Sequence, residues 1–307
     1  QEGIVLMCLA EALLRIPDGA TADALIRDRL GLGAWRDYKR KSESLLVNTG
    51  TFALNFANNV INPAGRIELE PVSYFRRMVR RLGLPVVRQA TYQAMKMMGK
   101  QFVLGRTIEE ALKNSRDKRD QGYTHSYDML GEAALTAHDA DRFRQAYVNS
   151  INRVAAEKFN NPDVVRPTIS IKLSALHPRY EVANRDRVLT ELATTLTELI
   201  TLAKNADVGV TIDAEEVDRL ELLLELFEKV YRSGVCKGWP RFGLVVQAYS
   251  KRALPTLCWL TALAKECGDE IPVRLVKGAY WDTEIKLSQQ LGLTAYPVFT
   301  RKASTDV

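Results

Sequence analysis

The chain reads as an α/β protein whose parallel strands curl toward a barrel, and three observations predict this. From about residue 125 onward, short apolar strand runs alternate with amphipathic helical runs. Within each strand run the residues divide by parity into an apolar face and a small or polar face. Four successive runs carry a polar residue late in the strand on that second face: Lys172, Asp213, Gln247 and Arg274. In a parallel barrel, catalytic groups gather at the carboxyl ends of the strands. Four such residues in register therefore point to one site at one end of the fold.

The parity holds run by run. In 169–176, Ile169, Ile171 and Leu173 share one face, with Ser170, Lys172 and Ser174 on the other. In 208–215, Val208, Val210 and Ile212 oppose Gly209, Thr211 and Asp213. In 243–249, Leu244, Val246 and Ala248 oppose Val245, Gln247 and Tyr249. In 272–280, Val273 and Leu275 oppose Arg274, Val276 and Gly278. Residues 127–130 supply a first strand and 297–301 a sixth, two short of a closed eight-stranded barrel. Between strands, 187–204 places Val188, Leu192, Leu196, Leu199 and Ala203 at helical steps of three and four.

Residues 1–124 read as a helical region ahead of a 125–307 barrel. Helices are expected at 2–16, 21–30, 51–61, 71–81, 86–98 and 107–121. Pro17, Asp18 and Gly19 separate the first two, and Pro63 and Gly65 the third from the fourth.

Composition narrows the classes. In 307 residues, 46% of them hydrophobic, no long charge-free apolar run predicts a membrane-spanning helix. No secretory leader precedes the first helix, so the chain is expected to start inside a longer, cytoplasmic protein. Cys8, Cys236, Cys258 and Cys267 show no CxxC pairing and are expected as buried thiols. His125, His138 and His177 are too scattered for a metal cluster, and His177 suits a structural loop better than a site. Arg76, Arg77, Arg80 and Arg81 flank an apolar stripe that reads as a solvated basic face, without a nucleic-acid-binding signature to support it.

No GxGxxG follows a strand and no GxxxxGK[ST] occurs, so the usual glycine-rich phosphate cradles are absent from the sequence. VKGAYW at 276–281 instead offers a glycine, a cation and two aromatics at a strand end. Thr300, Arg301 and Lys302 offer a hydroxyl and two cations at the next. Together they suit a flat aromatic cofactor carrying phosphates.

Six runs carry a resemblance: YDMLGEAALTA at 127–137, ISIKLSALHPRY at 169–180, IDAEEVDRLE at 212–221, VVQAYSKR at 245–252, RLVKGAYWDTEIK at 274–286 and YPVFTRKASTDV at 296–307. They resemble the proline dehydrogenase domain of the bacterial proline utilization A family. The opening QEGIVLMCLAEALLRIPD is similar to the helical region before that domain. The resemblance implies a distorted (β/α)8 TIM-like barrel that binds FAD, oxidises L-proline to Δ1-pyrroline-5-carboxylate and passes electrons to a membrane quinone. Arg274 and Gln247 would contact the isoalloxazine, and Val276, Lys277, Gly278, Ala279 and Trp281 would wrap the flavin and its ribityl chain. Thr300, Arg301 and Lys302 would reach the diphosphate and adenosine. Lys172 would pair with the proline carboxylate and Tyr280 would pack on the ring, while Asp213 with Ala214 line the pocket and Asp128 and Ala279 border the substrate.

The resemblance also implies a homo-oligomeric parent, peripheral on the inner face of the membrane, whose DNA contact belongs to a separate domain outside this chain. Family members continue through the last barrel strands to a helix with paired arginines for the substrate carboxylate. With the chain stopping at Val307, the barrel is expected to be truncated after about six strands and weakly active alone.

Two other classes stay in view. A Schiff-base aldolase would use Lys172 with a depressed pKa and be colourless. A non-catalytic binding or regulatory fragment would bind DNA or anionic lipid independently of Lys172.

Overall fold

The computed structural model describes residues 103–129, 131–157 and 166–307. The five helices expected before residue 100, the Arg76–Arg81 patch and Cys8 lie outside the described residues. The chain divides into two compact units, Gln1–Arg106 and Thr107–Val307. The two short helices before the first strand belong to the strand-bearing unit.

Those helices are α1 (Ile108–Asn114) and α2 (Arg116–Asp120), separated at Ser115 where one helix over 107–121 was expected. Thr107 caps α1 by accepting from the Glu110 amide, which supplies one donor of the first turn with a partner. Five parallel strands follow: β1 (Ser126–Asp128), β2 (Thr168–Ile171), β3 (Gly209–Ile212), β4 (Phe242–Gln247) and β5 (Val273–Val276). They pair in chain order, β1-β2-β3-β4-β5, each neighbour parallel. Helices between them return the chain: α3 (Ala137–Ala155), α4 (Leu173–Leu176), α5 (Ala193–Asn205), α6 (Leu220–Arg232), α7 (Ala253–Cys267), then α8 (Trp281–Gln290) and α9 (Lys302–Asp306) after β5. This is a parallel-strand half-barrel with helices, as the alternation predicts.

The core lies between sheet and helices. Ile169, Ile171, Val208, Val210, Ile212, Phe242 and Leu244 are all within 1% of full burial. Val188, Leu192, Leu196, Leu199 and Ala203 meet them from the helical side, as their spacing requires. Removing those side chains from water is the main stabilisation, at about 1.5–3 kcal/mol for each large one. Thr136 and Asp139 form a reciprocal capping box that fixes the start of α3, the helix packed against β2.

Further expectations change, and the strands expected over 208–215 and 272–280 end at Ile212 and Val276. The strand expected over 169–176 ends at Ile171, and Leu173–Leu176 turn into α4, with the Ala175 amide donating to the Lys172 carbonyl. All four α4 residues are buried, so their apolar alternation carried no strand information. The sixth strand at 297–301 reduces to one antiparallel bridge between Val298 and Ser250. Pro297 has no amide to donate and only Val298 is fully enclosed, which leaves too little to pair. Cys258, expected to be buried, is exposed on α7, whereas Cys236 is buried and Cys267 intermediate. Among the described residues no helix is long and apolar enough to cross a membrane, and no group of side chains has the composition of a metal site.

Candidate active site

Four charged side chains meet at the carboxyl ends of the strands. Lys172 follows β2 directly, still extended at φ −96° and ψ 123°, which keeps its side chain on the face predicted by parity. Its ammonium donates to Asp128 Oδ1 at 2.7 Å and to Asp213 Oδ2 at 2.9 Å. Asp213 continues β3, its amide bonded to the Ile171 carbonyl at 2.9 Å. The other oxygen of Asp213, Oδ1, accepts from the guanidinium of Arg274. Arg274 extends from β5 across the face to Ser126 on β1 and Ser170 on β2, at 3.0 Å each. One guanidinium thereby ties the two outermost described strands together and reaches a third.

The order Arg274, Asp213, Lys172, Asp128 alternates in sign and sums to zero, two cations against two carboxylates. Asp213 and Lys172 are the enclosed members, with 12% and 16% of their side-chain surface exposed; Arg274 shows 36% and Asp128 48%. Burial alone would lower the Lys172 pKa, but Asp213 and Asp128 outweigh it and hold the ammonium above its ordinary value. A Schiff-base lysine needs the reverse, an amine made available by a depressed pKa, so the electrostatics oppose the aldolase reading. Loss of solvent raises the Asp128 pKa, with the hydrogen bond from Lys172 acting in the other direction.

Tyr147 of α3, 1% exposed, accepts the Lys172 main-chain amide at 3.1 Å. That amide lies just past the end of β2, where a lost hydrogen bond in the interior would be costly.

A second group forms where β4 and β5 end. Gln247 is 8% exposed; its amide nitrogen donates to the Glu215 carbonyl at 2.8 Å. Its oxygen accepts from the Tyr249 hydroxyl at 2.9 Å and the Ala279 amide at 3.2 Å. Gly278 has φ +124°, a conformation that side chains oppose, and a Cβ there would overlap the Tyr249 ring. Lys277 and Lys302 converge on the two oxygens of Asp306, at 2.8 and 2.6 Å. Trp281 donates its indole N–H to the Phe299 carbonyl at 2.8 Å. Tyr280 donates its hydroxyl to Glu132 at 3.3 Å.

Of the residues singled out from sequence, Lys172, Asp213, Arg274 and Asp128 come into direct contact. Gln247, the last residue of β4, accepts the Ala279 amide of the adjoining turn, and Ala214 lies in the stretch after β3. Val276 closes β5 opposite Gln247. Lys277 and Lys302 meet through Asp306, while Thr300 and Arg301 are exposed at the start of α9. His177 is structural: its Nδ1 accepts from the Arg179 amide at 3.1 Å and its Nε2 faces Glu191 at 3.3 Å. The sequence reading did not single out Ser126 or Tyr147, and gave Ser170 and Tyr249 no role beyond parity.

A parallel barrel-type sheet with an ionic site at its strand ends defines an α/β enzyme of the barrel class. The family follows from comparison. Residues 111–307 match the model for proline dehydrogenase, and the chain belongs to the proline dehydrogenase family. Residues 1–102 match a model described as the DNA-binding domain of proline dehydrogenase. That description stands against the expectation that DNA contact belongs outside this chain, and it falls on residues outside those described. The chain is 47% identical over 307 residues to the bifunctional protein PutA of Klebsiella aerogenes and 48% identical to that of Rhizobium meliloti. It is covered in full by both and spans 23% and 24% of their lengths, about a quarter of the curated relatives. A crystal structure of a Bradyrhizobium japonicum proline utilization A variant matches with TM-score 0.65 and 46% identity, over 99% of this chain and 30% of that one.

Proposed function

We propose that this chain forms the core of a flavin-dependent proline dehydrogenase, which oxidises L-proline to Δ1-pyrroline-5-carboxylate on FAD and delivers the electrons to a membrane quinone. The observation that carries the reading is the convergence of Lys172 and Arg274 on Asp213 at the strand ends, in a chain of this family.

The residues present fit such a cofactor. The Arg301 and Lys302 cations, with the Thr300 hydroxyl, are the donor chemistry a diphosphate needs. Gly278, at φ +124°, lets the main chain of this turn pass against the Tyr249 ring, which stands where a Cβ would be. Val276, Lys277, Gly278, Ala279 and Trp281 would hold the flavin and its ribityl chain, Arg274 and Gln247 its polar edge, and Thr300, Arg301 and Lys302 the diphosphate and adenosine. FAD, when bound, supplies the acceptor for the hydride that leaves C5 of proline.

The chain's own side chains do the rest. The ammonium of Lys172 takes the proline carboxylate in place of one of its two present partners, fixing the ring in orientation. Tyr280 covers the ring, and Ala279 and Asp128 border it. Arg274, held by Asp213 and two serines, presents fixed positive charge where negative charge arrives, and it needs no reorganisation to do so. Oligomeric assembly and peripheral membrane contact belong to the same proposal.

The test is optical. The purified protein should be yellow, release FAD on denaturation and bleach on addition of proline. A colourless protein, or one that releases FMN, would overturn the reading.

A further inference from the structure

We propose that Tyr249 is the positioning residue of the flavin site, holding both the Val276–Trp281 turn and the segment leading into Thr300–Lys302; this rests on the functional reading above. Tyr249 is 3% exposed and lies two residues beyond the end of β4. Its hydroxyl donates to Gln247 Oε1 at 2.9 Å and accepts from the Tyr280 amide at 3.2 Å. The same Gln247 oxygen takes the Ala279 amide at 3.2 Å, so two consecutive amides of the turn are gathered by one Tyr–Gln pair. Its ring lies where a Cβ of residue 278 would stand, which lets the main chain pass at φ +124° and in contact.

The backbone of Tyr249 anchors both segments as well. Its amide donates to the Lys277 carbonyl at 3.0 Å, and its carbonyl accepts from the Phe299 amide at 2.8 Å. Phe299 in turn receives the Trp281 indole, which closes a ring of contacts from β4 through the β5 turn to residue 299 and back. Val217 and Val298 are buried around Tyr249, with Ile285 and Tyr296 packed against them. Burial pushes the Tyr249 pKa up to about 12, so the hydroxyl keeps its proton across the physiological range.

One consequence is specific. The amides of Ala279 and Tyr280 are turned inward onto Gln247 and Tyr249, and do not face a ligand as hydrogen-bond donors. Residue 279 would then meet the flavin through its methyl and carbonyl, which gives the turn a rigid surface without amide donors in place of a nest of N–H groups.

A tyrosine that merely filled space would be replaced by phenylalanine without effect, and this separates the two roles. Amide hydrogen exchange, read in the absence of flavin, should show the Tyr280 amide exchanging at least about tenfold faster in Tyr249→Phe, with β1 to β3 unchanged. FAD affinity, measured by flavin fluorescence quenching, should weaken by about tenfold in the same variant. Tyr249→Leu, which also removes the ring, should extend the faster exchange to residue 299. Unchanged exchange at residues 279 and 280 in Tyr249→Phe overturns the anchoring. Faster exchange with unaltered FAD affinity overturns its bearing on the cofactor. A wild-type protein that takes up no FAD while the exchange difference is present counts against the functional reading, and leaves the anchor standing.

Discussion

Lys172 and Asp213 are joined at 2.9 Å across the ends of adjacent strands β2 and β3, and the second oxygen of the same carboxylate belongs to Arg274 of β5. Asp213 therefore serves as the shared counter-charge for both cations of the site. Two like charges are brought close without mutual repulsion dominating, because one carboxylate lies between them and a second, Asp128, closes the row. A substrate carboxylate entering this row competes with an aspartate already in place. Its binding energy is thus a difference, smaller than the full worth of a charge-assisted contact would suggest.

Lys172→Ala removes the cation to which Asp128 and Asp213 both bind. Asp213 then keeps Arg274 while Asp128 loses its ammonium, and an incoming proline carboxylate meets net negative charge. A charge-assisted hydrogen bond is worth roughly 1.5–3 kcal/mol, so KM for proline should rise by about ten- to a hundredfold. Flavin content should fall far less, since Lys172 lies in a different group from the Lys277 and Lys302 pair. Steady-state dye reduction together with the flavin-to-protein absorbance ratio measures both, and an unchanged KM would sink the role.

Glu284→Gln tests a buried acid beside the site. Glu284 of α8 is 4% exposed and accepts the Val217 amide at 2.7 Å. Burial raises its pKa, and the Val217 hydrogen bond offsets only part of that. Because the folded state holds the proton more tightly than the unfolded chain, this carboxyl's contribution is fully present below its ordinary range. It is lost as pH rises through the folded pKa. Glutamine keeps the acceptor for Val217 and never ionises. The Tm of wild type relative to Glu284→Gln should therefore decrease from about pH 4 upward, and thermal melts at matched ionic strength would show it. A difference that stays flat or grows with pH would contradict the assignment.

The site was legible in sequence where strand parity governed it, and obscure where single hydroxyls did. Lys172, Asp213 and Arg274 emerged because period-two alternation puts a charged residue on a face that otherwise carries small residues. Ser126 and Ser170 occupy that same face, but a serine there satisfies the pattern as well as any small residue. Only the span of Arg274 shows that both oxygens are used. Tyr147 reads as one more apolar position of α3, and no periodicity states where a hydroxyl points. The overlong strand at 169–176 and the false one at 297–301 have different causes. At 173–176 four enclosed residues look alike in strand or short helix, and tertiary packing decides between them, whereas at 297–301 only Val298 is enclosed and Pro297 has no amide to pair.

Arg274→Lys separates charge from shape. Arg274 uses one terminal nitrogen for Ser126 and the other for Ser170 and Asp213, a fork that holds three strands at once. Lysine keeps the unit charge and the ion pair with Asp213 within reach, but a single ammonium cannot also span to β1 and β2 in fixed geometry. If Arg274 acted only through its charge, kcat/KM would stay within about threefold of wild type. If the preorganised fork is what stabilises charge arriving beside it, losing that geometry should cost roughly a hundredfold in kcat/KM, with the larger share in kcat. The serines supply a control. Ser170→Ala removes one arm of the fork and leaves the guanidinium and Asp213 intact, so its kcat should fall between wild type and Arg274→Lys. Single-turnover flavin bleaching with proline gives the chemical step directly. A Ser170→Ala rate equal to wild type, alongside a slow Arg274→Lys, would remove Ser170 from the positioning of the charge and leave the effect with the Ser126 arm of the fork.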